Sequence, residues 1–211
     1  EPVLRNISFT LESGTMTAIM GASGSGKTTL LKKITRLLPV EPNTIFFNGV
    51  DIRTLDKSAY YQNIAYIPQN PEHLFLEDSV EAELTFNAEN KETALDLARR
   101  FGLLHRLKAH PFKLSEGEKR RLTLCIALSM RRPLIIMDEP TYGLDRESRQ
   151  RLVEYLSLPE LQRVSLLIVS HDSPFIHALR AVLSQADSGS GGPRSCRVLR
   201  LKDGELEELN I

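Results

Sequence analysis

The chain has 211 residues, of which 41% are hydrophobic, and this length can build the core of one large α/β domain or of two small ones. Its 27 lysines and arginines equal its 27 aspartates and glutamates, and the zero net charge argues against sequence-independent binding of DNA or RNA, although a local basic patch stays compatible with it. Cys125 and Cys196 are the only cysteines, and no apolar run approaches the roughly 20 residues of a membrane helix. We therefore expect neither a disulfide framework nor a transmembrane segment, which fits the reducing cytosol.

The N-terminal residues predict a β-hairpin followed by a helix. Apolar and polar residues alternate at residues 7–11, residues 12–14 (Glu-Ser-Gly) predict a turn, and the apolar run at residues 16–20 predicts a second strand. A helical pattern then covers residues 27–38. We expect Pro39 to end this helix because proline lacks the amide hydrogen that a continuing helix needs.

The middle of the chain changes in character. Two short strands are predicted at residues 44–47 and 64–67, with a turn at Asn48-Gly49 after the first. Glutamate, lysine, leucine and alanine then dominate residues 71–130. Asn90 is the predicted N-cap of a helix in this stretch. The apolar face of that helix, at helical spacing, is formed by Ala94, Leu95, Leu97, Ala98 and Phe101.

Strands and helices alternate in the last third of the chain. Continuous apolar runs at residues 134–137 and 164–169 predict strands that are buried on both faces of a parallel sheet. A helix at residues 146–156 follows the first run. A second helix opens at Ser173-Pro174, where proline suits the first helical position. The pattern therefore predicts an α/β fold.

The end of the chain predicts a loop and a hairpin. Residues 187–195 are rich in glycine and serine and predict a flexible loop, and residues 197–209 predict a hairpin closed by an Asp-Gly turn. We expect a single domain over all 211 residues. Residues 1–70 and 131–211 would form its core, and residues 71–130 an inserted helical subdomain.

A glycine-rich loop at residues 21–28 matches the phosphate-binding pattern G-x-x-x-x-G-K-[ST] and lies between a predicted strand and a predicted helix, as that motif requires. Glycines let the main chain approach a ligand, successive N–H groups form an anion site, and the helix directs its positive end at the phosphates. Lys27 adds a full charge, and the Thr28 hydroxyl is a predicted ligand of Mg²⁺. A glycine-rich turn that ends in lysine by chance would not explain the full pattern. The predicted nucleotide-binding residues here are Gly21, Ala22, Ser23, Gly24, Ser25, Gly26, Lys27, Thr28 and Thr29.

An acidic pair, Asp138-Glu139, follows the apolar run at residues 134–137. The carboxyl end of a buried strand is where α/β folds bind ligands. Asp138 would hold Mg²⁺ through water, and Glu139 would orient and polarise an attacking water molecule. An acidic strand end that caps a neighbouring helix is a common alternative, but together with the phosphate loop the pair favours catalysis.

Residues 114–118, Leu-Ser-Glu-Gly-Glu, resemble the signature sequence of ABC ATPases, usually Leu-Ser-Gly-Gly-Gln, and lie between the phosphate loop and the acidic pair as in that family. Ser115 and Glu118 also fit a capping box, which would explain both residues without ATP. The two interpretations are compatible because a second phosphate-binding surface needs a well-formed helix N-terminus. The resemblance implies that Ser115 and Gly117 contact ATP held by a partner subunit.

Three further landmarks of the family follow in order. Gln69 resembles the Q-loop glutamine, which touches the metal and reports to the membrane partner, and residues 143–145 resemble the D-loop, with Asp145 as an implied nucleotide contact. His171 resembles the switch histidine that contacts the γ-phosphate. The resemblance thus implies a catalytic group of Glu139, His171 and Gln69, and a metal-binding group of Thr28, Gln69 and Asp138.

The resemblance covers essentially the whole chain. It implies a P-loop NTPase core with a mainly parallel sheet, an antiparallel β flank and an inserted helical subdomain. It also implies ATP and Mg²⁺ as cofactors, a head-to-tail dimer with a second ABC ATPase subunit (a homodimer or a heterodimer), and transmembrane transporter subunits as partners. Nucleic acid is not an expected partner. The implied location is cytoplasmic and peripheral, on the inner face of the cell membrane.

Two features depart from the family pattern. Glu116 stands for glycine and Glu118 for glutamine, and a carboxylate close to a γ-phosphate would repel it unless turned away. This half-site is therefore a candidate for the non-equivalent site of a heterodimer. In addition, no aromatic residue precedes Phe9, whereas the family usually carries one that stacks on adenine. Either that stretch is missing from this chain, or adenine is held in another way.

Residues 67–75 and 79–84 resemble the Q-loop region of energy-coupling-factor importers, which take up vitamins and transition-metal cations with two ATPase subunits. The expected function is ATP hydrolysis that powers transport across a membrane. One alternative is a soluble ABC ATPase of DNA repair or translation, although the coiled coils, zinc-binding inserts and tandem cassettes of those proteins are not found here. Another is a non-hydrolysing nucleotide-binding partner in a heterodimer, which the altered signature favours.

Overall fold

The computed structural model describes residues 4–5, 7–158, 161–185 and 194–209, and the elements named below belong to those ranges. In chain order, the strands are β1 (Met16–Met20), β2 (Phe46–Phe47), β3 (Val50–Asp51), β4 (Ile64–Ile67), β5 (Leu134–Asp138), β6 (Ser165–Val169), β7 (Cys196–Lys202) and β8 (Glu205–Glu208). The α-helices are α1 (Lys27–Ile34), α2 (Lys57–Tyr61), α3 (Val80–Phe86), α4 (Lys91–Arg100), α5 (Glu116–Ser129), α6 (Arg146–Leu156) and α7 (Ser173–Ser184). Short 3-10 helices cover Pro71–Leu74, Leu104–Arg106 and Pro111–Lys113.

The main sheet has six strands in the order β4-β5-β6-β1-β7-β8. All neighbouring pairs in it are parallel except β7 and β8, which are antiparallel and joined at Asp203-Gly204. Every residue of β5 is buried, as the continuous apolar run predicts for a strand covered on both faces. The predicted α/β fold with a mainly parallel sheet and an antiparallel flank is confirmed.

Helices cover both faces of this sheet. Successive side chains of a strand point to opposite faces, so Ile135 and Met137 enter one buried cluster, which also receives residues of α5, α6 and α7. Leu134 and Ile136 enter a second cluster with residues of α1 and α2. The continuous apolar strands are therefore needed to fill two separate cores.

The register of the central strands aligns their carboxyl ends. Val169, the last residue of β6, lies opposite Ile19 of β1 on one side and Asp138 of β5 on the other. The chain therefore leaves β1, β5 and β6 at the same edge of the sheet. The loops that follow these three strands can form one site there.

The segment between β4 and β5 is helical, as predicted, and residues 71–130 contain no strand. Asn90 is the N-cap of α4, where its side chain accepts a hydrogen bond from the Thr93 amide at 2.8 Å. Ala94, Leu97 and Ala98 of α4 are buried, which agrees with the predicted apolar face. In the described part of the chain, none of the helices is both long and apolar enough to pass through a bilayer.

Helix α1 ends at Ile34, four residues before the predicted end at residue 38. The amides of Arg36 and Leu37 donate to the carbonyl oxygens of Lys33 and Lys32, and Arg36 has a φ of 56°. This is a Schellman motif, a helix ending that usually places glycine in the left-handed conformation. Arginine occupies it here, with its guanidinium donating to the Leu55 carbonyl oxygen at 3.0 Å.

The predicted N-terminal hairpin is wrong in its first strand. Residues 7–11 pair with no strand among the described residues, although the turn before β1 is present, with the Thr15 amide donating to Glu12. The apolar side chains of this segment pack against the second core cluster instead. The alternation of apolar and polar residues thus predicted correctly which side chains are partly buried. It did not predict whether the segment hydrogen-bonds as a strand, because that also requires a neighbouring strand.

Other boundaries differ by fewer residues. The strand predicted at residues 44–47 is only β2, because Thr44 belongs to the preceding turn and its hydroxyl donates to the Glu41 carbonyl oxygen at 2.7 Å. Pro174 is the second rather than the first residue of α7, whose N-cap is Asp172. Residues 187–193 of the predicted flexible loop lie outside the described residues.

Candidate functional site

The glycine-rich loop connects β1 to α1 at the shared sheet edge. Gly24 and Gly26 have φ values of 81° and 99°, which favour glycine because it lacks a side chain. Helix α1 begins directly after Gly26, so its first unpaired amides and its positive dipole end face the loop. This local structure is suited to bind an anion.

Lys27 is buried within the loop. Its Nζ donates hydrogen bonds to the carbonyl oxygens of Gly21 and Ala22, each at 2.8 Å. The ammonium group is therefore held against the main chain of the loop. A phosphate oxygen that entered the loop would find a fixed positive charge beside the helix N-terminus.

Asp138, the last residue of β5, is 1% exposed, and neither of its carboxylate oxygens has a hydrogen-bond partner among the described residues. Burial raises the pKa of this carboxyl, the nearby Thr28 hydroxyl and Lys27 ammonium lower it, and Glu139 raises it, with a net increase. Such a buried, unpartnered carboxylate beside a hydroxyl fits a cation ligand. The residues present therefore fit Mg²⁺.

Glu139 and His171 are in contact. His171 Nδ1 lies 2.9 Å from Glu139 Oε2, and the same oxygen accepts hydrogen bonds from the His171 amide and the Ser170 hydroxyl, each at 3.1 Å. Glu139 has a φ of 50°, an uncommon conformation for a residue with a side chain, and its amide donates to the Val169 carbonyl oxygen at 2.8 Å. The carboxylate is thus fixed at the sheet edge, while the His171 side chain is 67% exposed.

Gln69 lies in the loop after β4 and is exposed to solvent. It does not hydrogen-bond to Asp138, whose oxygens have no such partner in the described ranges. Arg120 of α5 holds the main chain here, since its guanidinium donates to the carbonyl oxygens of Pro68, at 2.8 Å, and of Gln69. The position of the loop is therefore coupled to the helix that begins with the signature sequence.

The signature residues form the N-terminus of α5. Ser115 is the N-cap, and Glu118 completes a capping box: the Ser115 amide and hydroxyl both donate to Glu118 Oε2 at 2.9 Å. Gly117 faces Gly143 of the predicted D-loop, whose carbonyl oxygen would lie 3.5 Å from a Cβ at position 117. Among the described residues, no hydrogen bond or ion pair joins this helix end to the phosphate loop.

Asp145 is the N-cap of α6, where its side chain accepts a hydrogen bond from the Ser148 amide at 2.7 Å. That bond is the main reason that the pKa of its carboxyl is lowered. The structure thus assigns Asp145 a local role in starting a helix. A contact between Asp145 and a nucleotide stays a prediction.

Four residues that support the candidate site were not predicted from the sequence. Arg120 and Ser170 hold Gln69 and Glu139, as described above. Tyr66 of β4 lies near Asp138, and the pKa of its hydroxyl is raised by burial and by that carboxylate. Arg106 donates to Glu118 at 2.7 Å. Helical spacing does not single out Arg120, because 11 of the 14 residues of α5 are buried.

A cleft of about 950 Å³ borders the phosphate loop. It lies between residues 20–25 on one side and residues 200–204 at the β7–β8 turn on the other, with His171 at its rim. This volume is in the range of ordinary small-molecule sites. The cleft therefore offers room for a small molecule beside the main-chain amides of the loop.

The phosphate loop, its place between β1 and α1 and the parallel sheet define a P-loop NTPase fold. Within that class, the chain belongs to the ABC transporter family, whose family model matches residues 4–142. The predicted family is thereby confirmed, and with it the assignment as an ABC ATP-binding domain.

Several relatives are similar over most of the chain. It is 32% identical over 192 residues to a putative HMP/thiamine import ATP-binding protein of Bacillus subtilis, covering 89% of this chain but only 34% of that protein. A putative ABC transporter ATP-binding protein of Pyrococcus horikoshii is 32% identical over 213 residues, covering 97% of this chain and 76% of that protein. An energy-coupling factor transporter ATP-binding protein of Staphylococcus epidermidis is 31% identical over 183 residues, covering 80% and 64%.

Solved structures share the fold. CbiO1 from Clostridium perfringens, part of the ABC transporter complex CbiONQ, is 25% identical with a TM-score of 0.71, covering 97% of this chain and 80% of that one. A dimeric ATP-binding cassette in a post-hydrolysis state bound to ADP and phosphate has a TM-score of 0.75 at 24% identity, covering 99% and 91%. Because its sequence identity is below 25%, the similarity to this second structure supports only the fold.

Proposed function

We propose that this chain binds and hydrolyses ATP to power the movement of a substrate across a membrane through an ABC transporter. The observation that carries the proposal is the contact of Glu139 with His171, at 2.9 Å, on the same sheet edge as the phosphate loop. A carboxylate fixed beside a phosphate-binding loop is the arrangement that hydrolysis of a nucleoside triphosphate requires.

Binding of ATP would use the glycine-rich loop. The amides of residues 21–29 and the Lys27 ammonium would bind the β- and γ-phosphates, with Lys27 exchanging its carbonyl partners for phosphate oxygens. Thr28, Asp138 and Gln69 are the proposed ligands of Mg²⁺, which when bound neutralises charge on these phosphates.

Hydrolysis would use the contact between Glu139 and His171. Glu139 orients a water molecule and accepts its proton, while the water oxygen bonds to the γ-phosphorus and the bond to the β-phosphate oxygen breaks, which yields ADP and phosphate. His171 contacts the γ-phosphate. Its exposure allows it to reach toward that group, and the hydrogen bonds of Glu139 to Ser170 and to the His171 main chain keep the carboxylate in position.

A second subunit would complete the site. Ser115 and Gly117 at the N-terminus of α5, with Asp145, would meet the ATP held by a partner ATPase subunit in a head-to-tail homodimer or heterodimer. Residues 71–130 would form the helical subdomain that passes the motion to transmembrane subunits, and the rest of the chain the nucleotide-binding core. The protein would work on the inner face of the cell membrane.

The proposed direction is import of vitamins or metal cations. Support comes from the names of relatives, which include a thiamine import protein and an energy-coupling factor protein. The solved CbiO1 structure is part of the CbiONQ transporter complex. The resemblance of residues 67–75 to the Q-loop region of such importers agrees with them.

The test is Glu139→Gln, assayed together with the subunits that co-purify with the protein. The substitution removes the proton acceptor but keeps the shape, so phosphate release falls about a hundredfold or more while ATP-dependent dimerisation persists. Phosphate release and light scattering with Mg-ATP measure the two properties.

The matched control is Glu154→Gln on the exposed side of α6, which keeps parental turnover. Undiminished turnover in Glu139→Gln would contradict the proposed role of Glu139. Absence of phosphate release from the parent protein would favour the non-hydrolysing alternative. Tight, salt-sensitive binding of nucleic acid would favour the alternative of a soluble ATPase in DNA repair or translation.

A further inference from the structure

The two unusual carboxylates of the signature sequence are each paired with a cation. Glu118 is buried, and Arg106 Nε donates to its Oε1 at 2.7 Å, with His105 Nε2 at 3.7 Å from the same oxygen. Lys119 Nζ lies 2.9 Å from Glu116 Oε1 and 2.5 Å from Glu72 Oε1. Arg106 comes from the 3-10 helix Leu104–Arg106, outside α5 itself.

The ion pairs of Glu118 and Glu116 differ in how far solvent reaches the carboxylate. The Glu116 side chain is largely exposed, so solvent and salt screen its charge. Burial would raise the pKa of the Glu118 carboxyl, but the hydrogen bonds from Arg106 and Ser115 outweigh burial and lower it to about 2. Glu118 therefore stays ionised in the first turn of α5, where its charge opposes the positive potential that a phosphate would need.

The capping box also engages the one proton of the Ser115 hydroxyl. That hydroxyl donates to Glu118 Oε2 at 2.9 Å and accepts from the Glu118 amide at 3.3 Å. It can donate to a phosphate only if Glu118 gives up this hydrogen bond. Glu118 would still be bound by the Ser115 amide and by Arg106, so losing the hydroxyl does not leave the carboxylate without partners.

We propose that Arg106 is a positioning residue, which neutralises Glu118 and holds its carboxylate in the capping box so that the N-terminus of α5 can accept the γ-phosphate of ATP bound by a second subunit. The inference rests on the proposed function, since it assumes that ATP joins two subunits. Together, Arg106 and Glu118 form a pair without net charge, like the single neutral glutamine that the signature usually has at position 118.

The experiment measures ATP-driven dimerisation in the Glu139→Gln background, where hydrolysis does not deplete the dimer. Arg106→Gln leaves the Glu118 charge uncompensated, and the dimer dissociation constant in Mg-ATP rises about tenfold or more. Arg106→Lys, which keeps the charge, stays within about threefold of the parent. The double variant Arg106→Gln/Glu118→Gln returns to the parental constant because both charges are gone.

Two readouts separate this role from a merely structural one. The affinity of the monomer for a fluorescent ATP analogue, which depends on its own phosphate loop, stays unchanged in all variants. The dimerisation defect of Arg106→Gln shrinks as salt rises toward about 1 M, because an electrostatic defect is screened.

The control is Arg99→Gln, which removes a charge from an exposed pair with Asp96 on α4 and leaves dimerisation unchanged.

The possible outcomes distinguish the role of Arg106 from the proposed function as a whole. Parental dimerisation in Arg106→Gln, or failure of the double variant to restore it, overturns the role of Arg106 and leaves the proposed function standing. If the Glu139→Gln protein itself forms no dimer with ATP, the proposed function falls, and the inference falls with it.

Discussion

Gly21 begins the phosphate loop at a position with no room for a side chain. A Cβ there would lie 2.5 Å from the Leu201 carbonyl oxygen and 2.8 Å from Ser25 Oγ. The first neighbour is main chain of β7, so the sheet itself would have to shift. We expect Gly21→Ala to lower the free energy of unfolding by about 1–3 kcal/mol and to weaken Mg-ATP binding, as measured by urea unfolding and nucleotide titration.

Gly117 provides the contrasting variant for stability. A Cβ at Gly117 would meet its nearest neighbour, the Gly143 carbonyl oxygen, at 3.5 Å, which is an ordinary contact. Since the position is helical, Gly117→Ala leaves the free energy of unfolding unchanged or raises it by up to about 1 kcal/mol. Equal losses in both variants would mean that the close approach at Gly21 has no special cost.

Single residues at the site were predictable where they are tied to strand ends. Asp138 ends β5 and Glu139 follows it, His171 lies two residues after β6, and Lys27 begins α1 after the loop that follows β1; a parallel sheet brings such positions to one edge. Arg106 and Arg120 were not assigned roles because their partners depend on how separate elements pack. Gln69, for example, is 51 residues from the arginine that holds its carbonyl oxygen.

The N-terminal turn of α5 is stabilised by a charge, which makes its contribution depend on pH. The pKa of Glu118 is lowered to about 2 against burial, by its hydrogen bonds to Arg106 and Ser115. A carboxyl with a lowered folded-state pKa stabilises the fold above its usual pKa of 4.5, and this stabilisation is lost as the pH falls toward about 2.

We therefore expect the stability difference between the parent and Glu118→Gln to be constant at neutral pH and to shrink in acid. Urea unfolding at a series of pH values between about 7 and 2 measures it. Glu116→Gln, at an exposed position of the same turn, is the control and shows a smaller change. A difference between parent and Glu118→Gln that does not vary with pH would contradict this account of the cap.

Elements were predicted well in their interiors and poorly at some ends. Arg36 ends α1 in a left-handed conformation that propensity assigns to glycine, and contacts with Leu55 and Tyr60 help to hold it. Residues 7–11 alternate like a strand yet lack a partner strand in the described part of the chain. In both cases tertiary contacts, which the local pattern does not contain, decide the outcome.

At the scale of the whole molecule, the two proposed phosphate-binding surfaces lie on different elements. One is the loop before α1, and the other is the N-terminus of α5, and no hydrogen bond or ion pair in the described part of the chain joins them. If ATP bridges two subunits, ATP binds to the loop before α1 as the ATP concentration rises, at any protein concentration. The N-terminus of α5 contacts ATP only when dimers form, so its occupancy also depends on the protein concentration.

Hydrogen exchange can separate these two dependences in the Glu139→Gln protein. The first-turn amides of a helix lack acceptors within the helix, so a bound phosphate slows their exchange directly. We expect the amides of residues 21–28 to become protected with ATP even in dilute protein. The amides of Glu116 and Gly117, which the capping box does not engage, become protected only at higher protein concentration. Lys27→Ala, which removes the ammonium from the loop, loses both effects. Protection of both segments in step at every protein concentration would mean that α5 meets the nucleotide of its own chain, and the head-to-tail arrangement would be wrong.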